Sequence, residues 1–348
     1  MDTDVVALAD SIADFFERRN DAQAIAAAAG TSAPVDRQRW AALCEMGLPV
    51  LGLAEPRGIG AGLLETTAVA EKIGAVLLPE PAVATIVLAD AWSTHSHTAE
   101  FLEAICDGSR ITALCAFATV ELSPEGELRR QAQIPDDELT DAVALLARDL
   151  YTAESAIVVV ERNALPAPQS RTSLDPTRPM ALTPLDSVEP VDVVRLSDEA
   201  AHGIRRRVAL FSCAELVGGM QKVLNSTLDH AKTRKQFDRP IGSFQSIKHR
   251  LADMYVKTEQ ARAAVQSAAI ECAGELESAP AAVASTARWV SRAAVDMFED
   301  AIHLYGAMGY SWEVDVHLHL RRALATRDAL SRSEVTAELP FSMRAAVG

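Results

Sequence analysis

Residues 233–245 read TRKQFDRPIGSFQ and form the most informative run in this chain of 348 residues. The run predicts the end of one helix, a proline-containing loop and a new helix that begins near Ser243. In such a corner Arg234 offers a planar donor fork for a diphosphate, Phe237 a face for a flat ring, and Gln245 an amide for an adenine or ribose edge. From spacing alone, the simpler interpretation is a helical corner in which Arg234 caps carbonyl groups.

The sequence on the C-terminal side of this corner keeps helical spacing over long stretches. Mostly apolar residues step by three and four in two runs, first Phe244, Ile247, Leu251, Met254, Thr258, Ala261 and Val265, then Val283, Ala287, Val290, Ala294, Met297 and Ala301. Such narrow stripes predict two helices longer than about 20 residues, in a bundle whose other faces are partly buried.

Composition and prolines divide the rest of the chain. Residues 1–106 read as helices with short breaks. Residues 107–195 combine strand-like runs at 111–117 and 156–160 with many prolines, which predicts a small β module. Residues 196–348 are helical again. The sequence therefore predicts an α+β fold with an N-terminal α-helical domain, a shortened middle β domain and a C-terminal helical bundle.

Charge and cysteine usage exclude several functional classes. The chain carries 33 basic and 48 acidic residues, and a net charge of −15 repels nucleic-acid phosphates and anionic lipids. Five scattered cysteines without a CxxC pair fit reduced thiols in a cytoplasm. No basic, apolar leader opens the chain, and no apolar run reaches the roughly 18 residues of a membrane span. We expect a cytoplasmic protein without a metal site, because His95-x-His97 and His317-x-His319 lack a convincing third ligand.

Segments along most of the chain resemble the acyl-CoA dehydrogenase family and occur in the family's order. They are TRKQFDRPIGSFQ, WAALCEMGL at 40–48, Glu71-x-x-Gly74 with Pro79-x-Pro81, LDPTR at 174–178, and HLYGAMGYSWE at 303–313 followed by HLHLRRA at 317–323. The resemblance implies the acyl-CoA dehydrogenase fold, with a helical domain, a β domain and a C-terminal four-helix bundle. It also implies an FAD-dependent oxidoreductase that removes an α-proton and a β-hydride from an acyl-CoA.

The sequence departs from that family where the chemistry takes place. The position at which many members carry the catalytic glutamate is Leu330, which cannot accept a proton. The family's other base position falls near Gly274, where Glu271 and Glu275 are the nearest carboxylates. The Thr-x-Pro-x-Ala-Gly-Ser-Asp loop and the Trp-x-x-x-Gly-Lys segment, which contact the flavin ring, have no counterpart, and residues 118–125 read ATVELSPE instead.

The sequence retains the residues that, in the family, contact FAD across a subunit interface. In homomeric members one subunit holds the flavin ring, while its neighbour contacts the diphosphate and adenosine of FAD. The resemblance assigns these contacts to Arg234, Phe237, Gln245, His303, Gly306 and Ala307. His303 replaces a glutamine, with the expectation that it keeps a ring N–H donor, and Ala307 replaces a glycine.

Three hypotheses follow. In the first, the chain is the base-lacking subunit of a heteromeric acyl-CoA dehydrogenase, similar to those of bacterial steroid and cholesterol side-chain degradation. It then has no catalytic residue of its own, shares FAD with a full-length catalytic subunit in an α2β2 heterotetramer, and serves a bulky steroid side-chain acyl-CoA. In the second, the chain is a self-sufficient homomeric dehydrogenase that uses Glu271 or Glu275 as its base. In the third, it is a flavin-free structural partner.

Overall fold

Helices occupy both ends of the chain and strands its middle. The computed structural model describes residues 3–19, 21–29, 35–96, 98–124, 126–135, 140–169 and 173–338. The N-terminal helices are α1 (Thr3–Arg19), α2 (Asp21–Ala28), α3 (Arg37–Glu45), α4 (Leu63–Ala75), α5 (Ala82–His95) and α6 (Ala99–Cys106). The C-terminal helices are α7 (Asp198–Thr233), α8 (Gln245–Ala273), α9 (Ala279–Tyr305) and α10 (Val316–Arg332). This order confirms the predicted α+β class.

The middle strands form one larger sheet and one strand pair. The strands are β1 (Thr112–Leu122), β2 (Leu128–Arg129), β3 (Gln131–Pro135), β4 (Ala142–Asp149), β5 (Ser155–Glu161), β6 (Met180–Pro184) and β7 (Asp192–Leu196). The larger sheet has the order β2-β1-β4-β5-β7, and β3 pairs antiparallel with β6. Within the larger sheet β1 and β4 are parallel, whereas the other neighbours are antiparallel.

Strand β4 separates two hydrophobic cores. Because successive side chains of a strand point to opposite faces, its residues alternate between them. Ala144 and Leu146 pack into the main core with the helices. Val143 and Leu145 pack into a smaller core with side chains such as Leu185. Both faces of the strand are therefore covered, which explains why it reads as a nearly continuous apolar run.

The bundle buries the predicted stripes. On α8, Leu251 and Val265 are buried, and on α9 all six predicted positions from Val283 to Ala301 are buried. The new helix begins at Gln245, after a single 3-10 turn at Ile241–Ser243. In the described part of the chain, no helix combines the length and apolar character needed to cross a membrane.

Buried ion pairs join the three parts of the fold around residues 77–80. Arg322 of α10 pairs with Asp175, and its Nη2 also donates to the Leu77 carbonyl at 3.3 Å. Arg178 pairs with Glu215 of α7, and its Nε donates to the Leu78 carbonyl at 2.9 Å. These contacts connect the segment between α4 and α5 with the LDPTR segment and with the bundle.

A third ion pair anchors the same segment to the start of α3. The Glu80 carboxylate accepts from Arg39 Nη2 at 2.6 Å and from the Asp36 backbone N–H at 2.7 Å. Both side chains of the ion pair are almost fully buried. Several residues that carry the family resemblance, including Asp175, Arg178 and Arg322, are therefore structural connectors.

The stability of the fold should depend on pH through His319, which is 2% exposed on α10. Burial is the main cause that lowers the pKa of His319 from 6.5 to about 4, with a smaller opposing effect from Asp315. The unfolded chain binds a proton near pH 6.5, whereas the folded chain excludes it until about pH 4. Between these values the unfolded state therefore binds more protons, and stability falls as the pH falls.

We expect His319 to lower the free energy of unfolding by on the order of 3 kcal/mol when the pH falls from 7 to 4. Urea denaturation at pH 7, pH 5 and pH 4 checks this expectation, with His319→Leu giving a flatter pH profile than the unaltered chain. His249→Leu, which changes an exposed histidine of α8, is the control and should keep the original profile. Equal pH profiles for His319→Leu and the unaltered chain would contradict the expectation.

Candidate functional site

The run TRKQFDRPIGSFQ forms a tight hairpin at one end of the bundle. After α7 ends, strands β8 (Lys235–Gln236) and β9 (Arg239–Pro240) pair antiparallel. Phe237 and Asp238 form the turn with φ values of +52° and +61°. The Arg239 guanidinium lies over the Phe244 ring, 4.1 Å from its centroid, which fixes the base of the hairpin.

The hairpin presents its functional side chains to solvent. The Arg234 backbone N–H donates to the His230 carbonyl, and its carbonyl accepts from the Ile241 N–H, both at 2.8 Å. The backbone of Arg234 therefore makes the helix-end contacts, while its side chain is exposed. Phe237 is 87% exposed, an unusual state for a large aromatic side chain, and Gln245 is exposed at the first turn of α8.

The end of α9 lies beside the end of α7. The His230 ring stacks on the Tyr305 ring with centroids 4.2 Å apart. Short connections reverse the chain direction between α7, α8 and α9, so the start of α8 lies at this end as well. All six residues predicted to contact a nucleotide therefore lie at one end of the bundle, and all six are exposed, namely Arg234, Phe237, Gln245, His303, Gly306 and Ala307.

The ring of His303 differs from the sequence expectation. Its Nδ1 lies 2.7 Å from the Glu299 carbonyl oxygen, and because a carbonyl only accepts, Nδ1 carries the hydrogen. The neutral ring therefore offers Nε2 as an acceptor. The expected ring N–H donor is already used within the helix, so His303 does not reproduce the donor of a glutamine amide unless it is protonated.

Gly306 ends α9 in a conformation that favours glycine. Its φ is +64°, and its N–H is used within the chain, donating to the Ile302 and His303 carbonyls. A Cβ built at Gly306 would meet no heavy atom of the described residues within 4 Å. The backbone at this position is therefore open to close approach by a ligand.

The corner between α7 and α8 is locally basic, whereas the end of α9 and the segment after it add the acidic residues Glu299, Asp300, Glu313 and Asp315. Residues 229–250 contain six lysines or arginines and two aspartates, in a chain with a net charge of −15. Lys232 pairs with Asp229 at 2.9 Å, and Arg250 with Asp300 at 3.3 Å. Across the residues that the structure describes, no three His, Cys, Asp or Glu side chains are grouped as metal ligands would be. His97, one of the histidines that the sequence analysis considered as a metal ligand, lies outside the described residues.

A cavity of about 440 Å³ lies where the N-terminal helices, the β module and the bundle meet. Its lining is largely apolar and includes Ala113, Phe117, Met180 and Val208. Among the described residues that line it, Glu215 is the single carboxylate. Sequence reasoning missed Glu215, although an acidic residue within the apolar stretch of α7 was the available signal.

Glu215 is held in a fork by Arg178. Arg178 Nη1 donates to Glu215 Oε2 at 3.1 Å, and Nη2 donates to Oε1. Both carboxylate oxygens are therefore engaged by the half-buried Arg178 guanidinium. A carboxylate held in this way is poorly placed to abstract a proton from a substrate.

The other candidate bases do not reach this cavity. Leu330 is 1% exposed and lines a second cavity, whereas its neighbour Ala329 lines the first. Glu271 and Glu275 line neither cavity. Because α8 rises about 1.5 Å per residue, Glu271 lies about 40 Å along the helix from Gln245, near the other end of α8. The second hypothesis, with Glu271 or Glu275 as the base, gains no support from these two cavities and stays a hypothesis.

Comparison with known proteins identifies the family. Residues 206–338 match the family model described as acyl-CoA dehydrogenase, C-terminal domain. The chain is 30% identical over 320 residues to acyl-CoA dehydrogenase IpdE2 of Mycolicibacterium smegmatis, an alignment that covers 91% of each protein. The chain belongs to the acyl-CoA dehydrogenase family. Members of this family are FAD-dependent oxidoreductases.

Solved structures agree with this fold. The Tcur3481-Tcur3483 steroid ACAD superposes with a TM-score of 0.80 at 22% identity, covering 99% of this chain and 96% of the other. The ChsE4-ChsE5 complex from Mycobacterium tuberculosis gives a TM-score of 0.77 at 23% identity, covering 97% and 96%. The predicted acyl-CoA dehydrogenase fold is confirmed.

Proposed function

We propose that this chain is the base-deficient subunit of a heteromeric FAD-dependent acyl-CoA dehydrogenase. It completes the FAD site of a full-length catalytic subunit, and the assembly dehydrogenates a bulky steroid side-chain acyl-CoA at its α,β-bond. Bound FAD would accept the hydride from the acyl β-carbon. The observation that carries the proposal is the contrast between an exposed bundle end with a basic α7–α8 corner and a cavity in which the one carboxylate among the described lining residues is held by an arginine.

The side chains at the bundle end suit the diphosphate and adenosine of FAD. Arg234 can donate two parallel hydrogen bonds to phosphate oxygens, and the other basic residues of the α7–α8 corner favour an anionic group. The Phe237 ring offers a face for packing, and the open backbone at Gly306 admits close approach. Gln245 supplies an amide that both donates and accepts, while neutral His303 supplies an acceptor.

The exposure of these groups favours a second subunit. A nucleotide bound only to this exposed surface would leave most of its own surface in water, unlike ligands in closed pockets. Closing the site requires another protein surface, which a catalytic partner would supply together with the contacts to the flavin ring. On α8, Tyr255, Val256 and Ile270 are also exposed, as expected for a helix that is covered in an assembly.

Among the described residues that line the first cavity, none is a carboxylate without an arginine partner, which supports a non-catalytic role for this subunit. Proton abstraction at the acyl α-carbon needs an unpaired carboxylate in a dry pocket, with a pKa raised by burial. Ala329 and Leu330 cannot accept a proton, and Glu215 is engaged by Arg178. The chemistry would therefore take place in the partner's active site.

The comparisons supply the remaining support. One structural neighbour is described as a steroid ACAD, and another is a complex of two differently named chains. These names support a steroid side-chain substrate and a heteromeric assembly. We infer an α2β2 heterotetramer in which each FAD is shared between the two kinds of subunit.

Counting flavins per assembly tests the proposal. The chain should be purified alone and after co-expression with a full-length acyl-CoA dehydrogenase from the same organism. Alone it should be colourless and inactive, and the complex should contain half as many FAD molecules as subunits. A yellow, active assembly made of this chain alone would overturn the proposal.

Replacing Arg234 with Gln should weaken FAD retention by the complex about 10- to 100-fold, because charge-assisted hydrogen bonds to the diphosphate are lost. Equilibrium dialysis of FAD from the purified complex measures this change. Arg18→Gln, which removes an exposed charge on α1, is the matched control and should retain FAD normally. Unchanged retention in Arg234→Gln would instead favour the flavin-free structural partner.

A further inference from the structure

The last turns of α7 and α9 meet through two aromatic rings. The His230 ring stacks on the Tyr305 ring, with centroids 4.2 Å apart and an angle of 21° between the ring planes. His230 lies four residues before Arg234, and Tyr305 lies between His303 and Gly306. We propose that the His230–Tyr305 stack is a positioning contact, which fixes the nucleotide-contact residues of α7 relative to those of α9.

The stack is linked to Arg234 through one turn of backbone. The Arg234 N–H donates to the His230 carbonyl at 2.8 Å, so a displacement of the main chain at His230 also displaces that of Arg234. This hydrogen bond lies at the very end of α7, whose last residue is Thr233, and helix ends fray unless other contacts hold them. The stack supplies such a contact to the turn that carries the arginine.

On the α9 side, the stack holds the turn that leads into Gly306. The Gly306 N–H donates to the Ile302 and His303 carbonyls, and its φ of +64° ends the helix. Burial raises the pKa of the Tyr305 hydroxyl, and a hydrogen bond with Ser226 of α7 opposes that shift. The Tyr305 side chain therefore contacts α7 through its ring and through its hydroxyl group, directly before the backbone that is open to a ligand.

The start of α8 is supported by the same turn of α7. The Ile241 N–H donates to the Arg234 carbonyl at 2.8 Å, and a Cβ built at Gly242 would lie 3.0 Å from the Ala231 carbonyl oxygen. The connection that precedes Gln245 thus packs directly on the last turn of α7. That turn supports contact residues of both α7 and α8, and the stack joins it to the contact residues of α9.

The faces of the His230 ring, rather than its charge, suit this role. Burial, with a smaller effect from the Arg234 guanidinium, lowers the pKa of His230 from its ordinary value of 6.5. The ring is therefore mostly neutral at pH 7 and adds no cation beside Arg234. Phenylalanine keeps a flat ring at this position and should preserve the contact, whereas alanine removes it.

Hydrogen–deuterium exchange of the chain alone tests the contact without FAD and without a partner subunit. We expect His230→Ala to speed amide exchange about two- to tenfold in residues 303–309, which belong to the other side of the stack. This end is the decisive readout, because alanine itself favours the helical conformation of α7. His230→Phe should keep the exchange rates of the unaltered chain. His202→Ala, the same change near the start of α7, is the matched control and should leave residues 303–309 unaffected.

Retention of FAD by the complex with the catalytic subunit tests the consequence for the site, which rests on the proposed function. In equilibrium dialysis, His230→Ala should weaken FAD retention about two- to tenfold, and His230→Phe should restore it. In the Arg234→Gln background, His230→Ala should cost less than it does alone, because the stack acts through the position of Arg234. Circular dichroism melting verifies that each variant is folded.

Three results would overturn the inference. The first is unchanged exchange of residues 303–309 in His230→Ala, which would show that the stack does not hold α9. The second is unchanged FAD retention in His230→Ala while Arg234→Gln loses FAD, which would leave the proposed function intact and limit the stack to stability. The third is fully additive losses in the double variant His230→Ala/Arg234→Gln. Unchanged FAD retention in Arg234→Gln would instead contradict the proposed function, and the exchange rates would still decide whether the stack holds the two helix ends.

Discussion

Replacing Arg322 with Met should lower the free energy of unfolding by about 3–5 kcal/mol, because it leaves a buried carboxylate without its partner. Arg322 bonds Asp175, the Thr177 hydroxyl and the Leu77 carbonyl, and both charged side chains are buried. The substitution removes one side of that network and keeps most of the side-chain volume. Urea denaturation followed by circular dichroism measures the change.

The adjacent residue provides a matched control. Arg321 is exposed on the same helix, and Arg321→Met should change stability by less than about 0.5 kcal/mol. The double variant Arg322→Met/Asp175→Leu removes both charges and should recover part of the loss, because no unpaired ion remains. Similar losses in Arg321→Met and Arg322→Met would contradict the role assigned to this pair.

Replacing Gly218 with Ala should cost about 3 kcal/mol or more, because α4 and α7 are in backbone contact at this point. A Cβ at Gly218 would lie 1.8 Å from the Glu71 carbonyl oxygen, and a Cβ at Gly74 would lie 1.9 Å from the Glu215 carbonyl oxygen. Neither oxygen can move without displacing its helix. Thermal and urea denaturation report the loss of stability.

A second glycine on α7 gives the comparison. A Cβ at Gly203 would meet no heavy atom within 4 Å in the part of the chain that is described. Since alanine favours a helix over glycine, Gly203→Ala should stabilise the protein by about 0.5–1 kcal/mol. Equal stability of the Gly218→Ala and Gly203→Ala variants would contradict the backbone contact between α4 and α7.

Local patterns in the sequence were sufficient to predict the fold. The stripe that contains Val290 and Met297 repeats every three to four residues, and burial of one helix face requires that period. The motif segments then indicated the family and the residues at the bundle end. Their shared location was predictable because helices joined by short connections place alternate ends together.

The pairings between distant residues could not be predicted in this way. Asp175 and Arg322 are 147 positions apart, and nothing in their local sequence indicates which of many charged residues they meet. The role of Glu215 likewise depends on Arg178, which lies 37 positions earlier in the chain, outside α7. The hydrogen on His303 Nδ1 is set by a carbonyl one helical turn away, a detail that residue identity alone does not specify.

The end of α10 separates two cavities, because Ala329 lines the first cavity and its neighbour Leu330 lines the second. Introducing a carboxylate base at this end of α10 would therefore require a choice between positions 329 and 330. Alignment with the family points only to position 330. A carboxylate at the aligned position, 330, would enter the second cavity, whose lining includes Arg288, Arg292 and Arg327. A carboxylate at position 329 would instead enter the first cavity, whose lining is largely apolar.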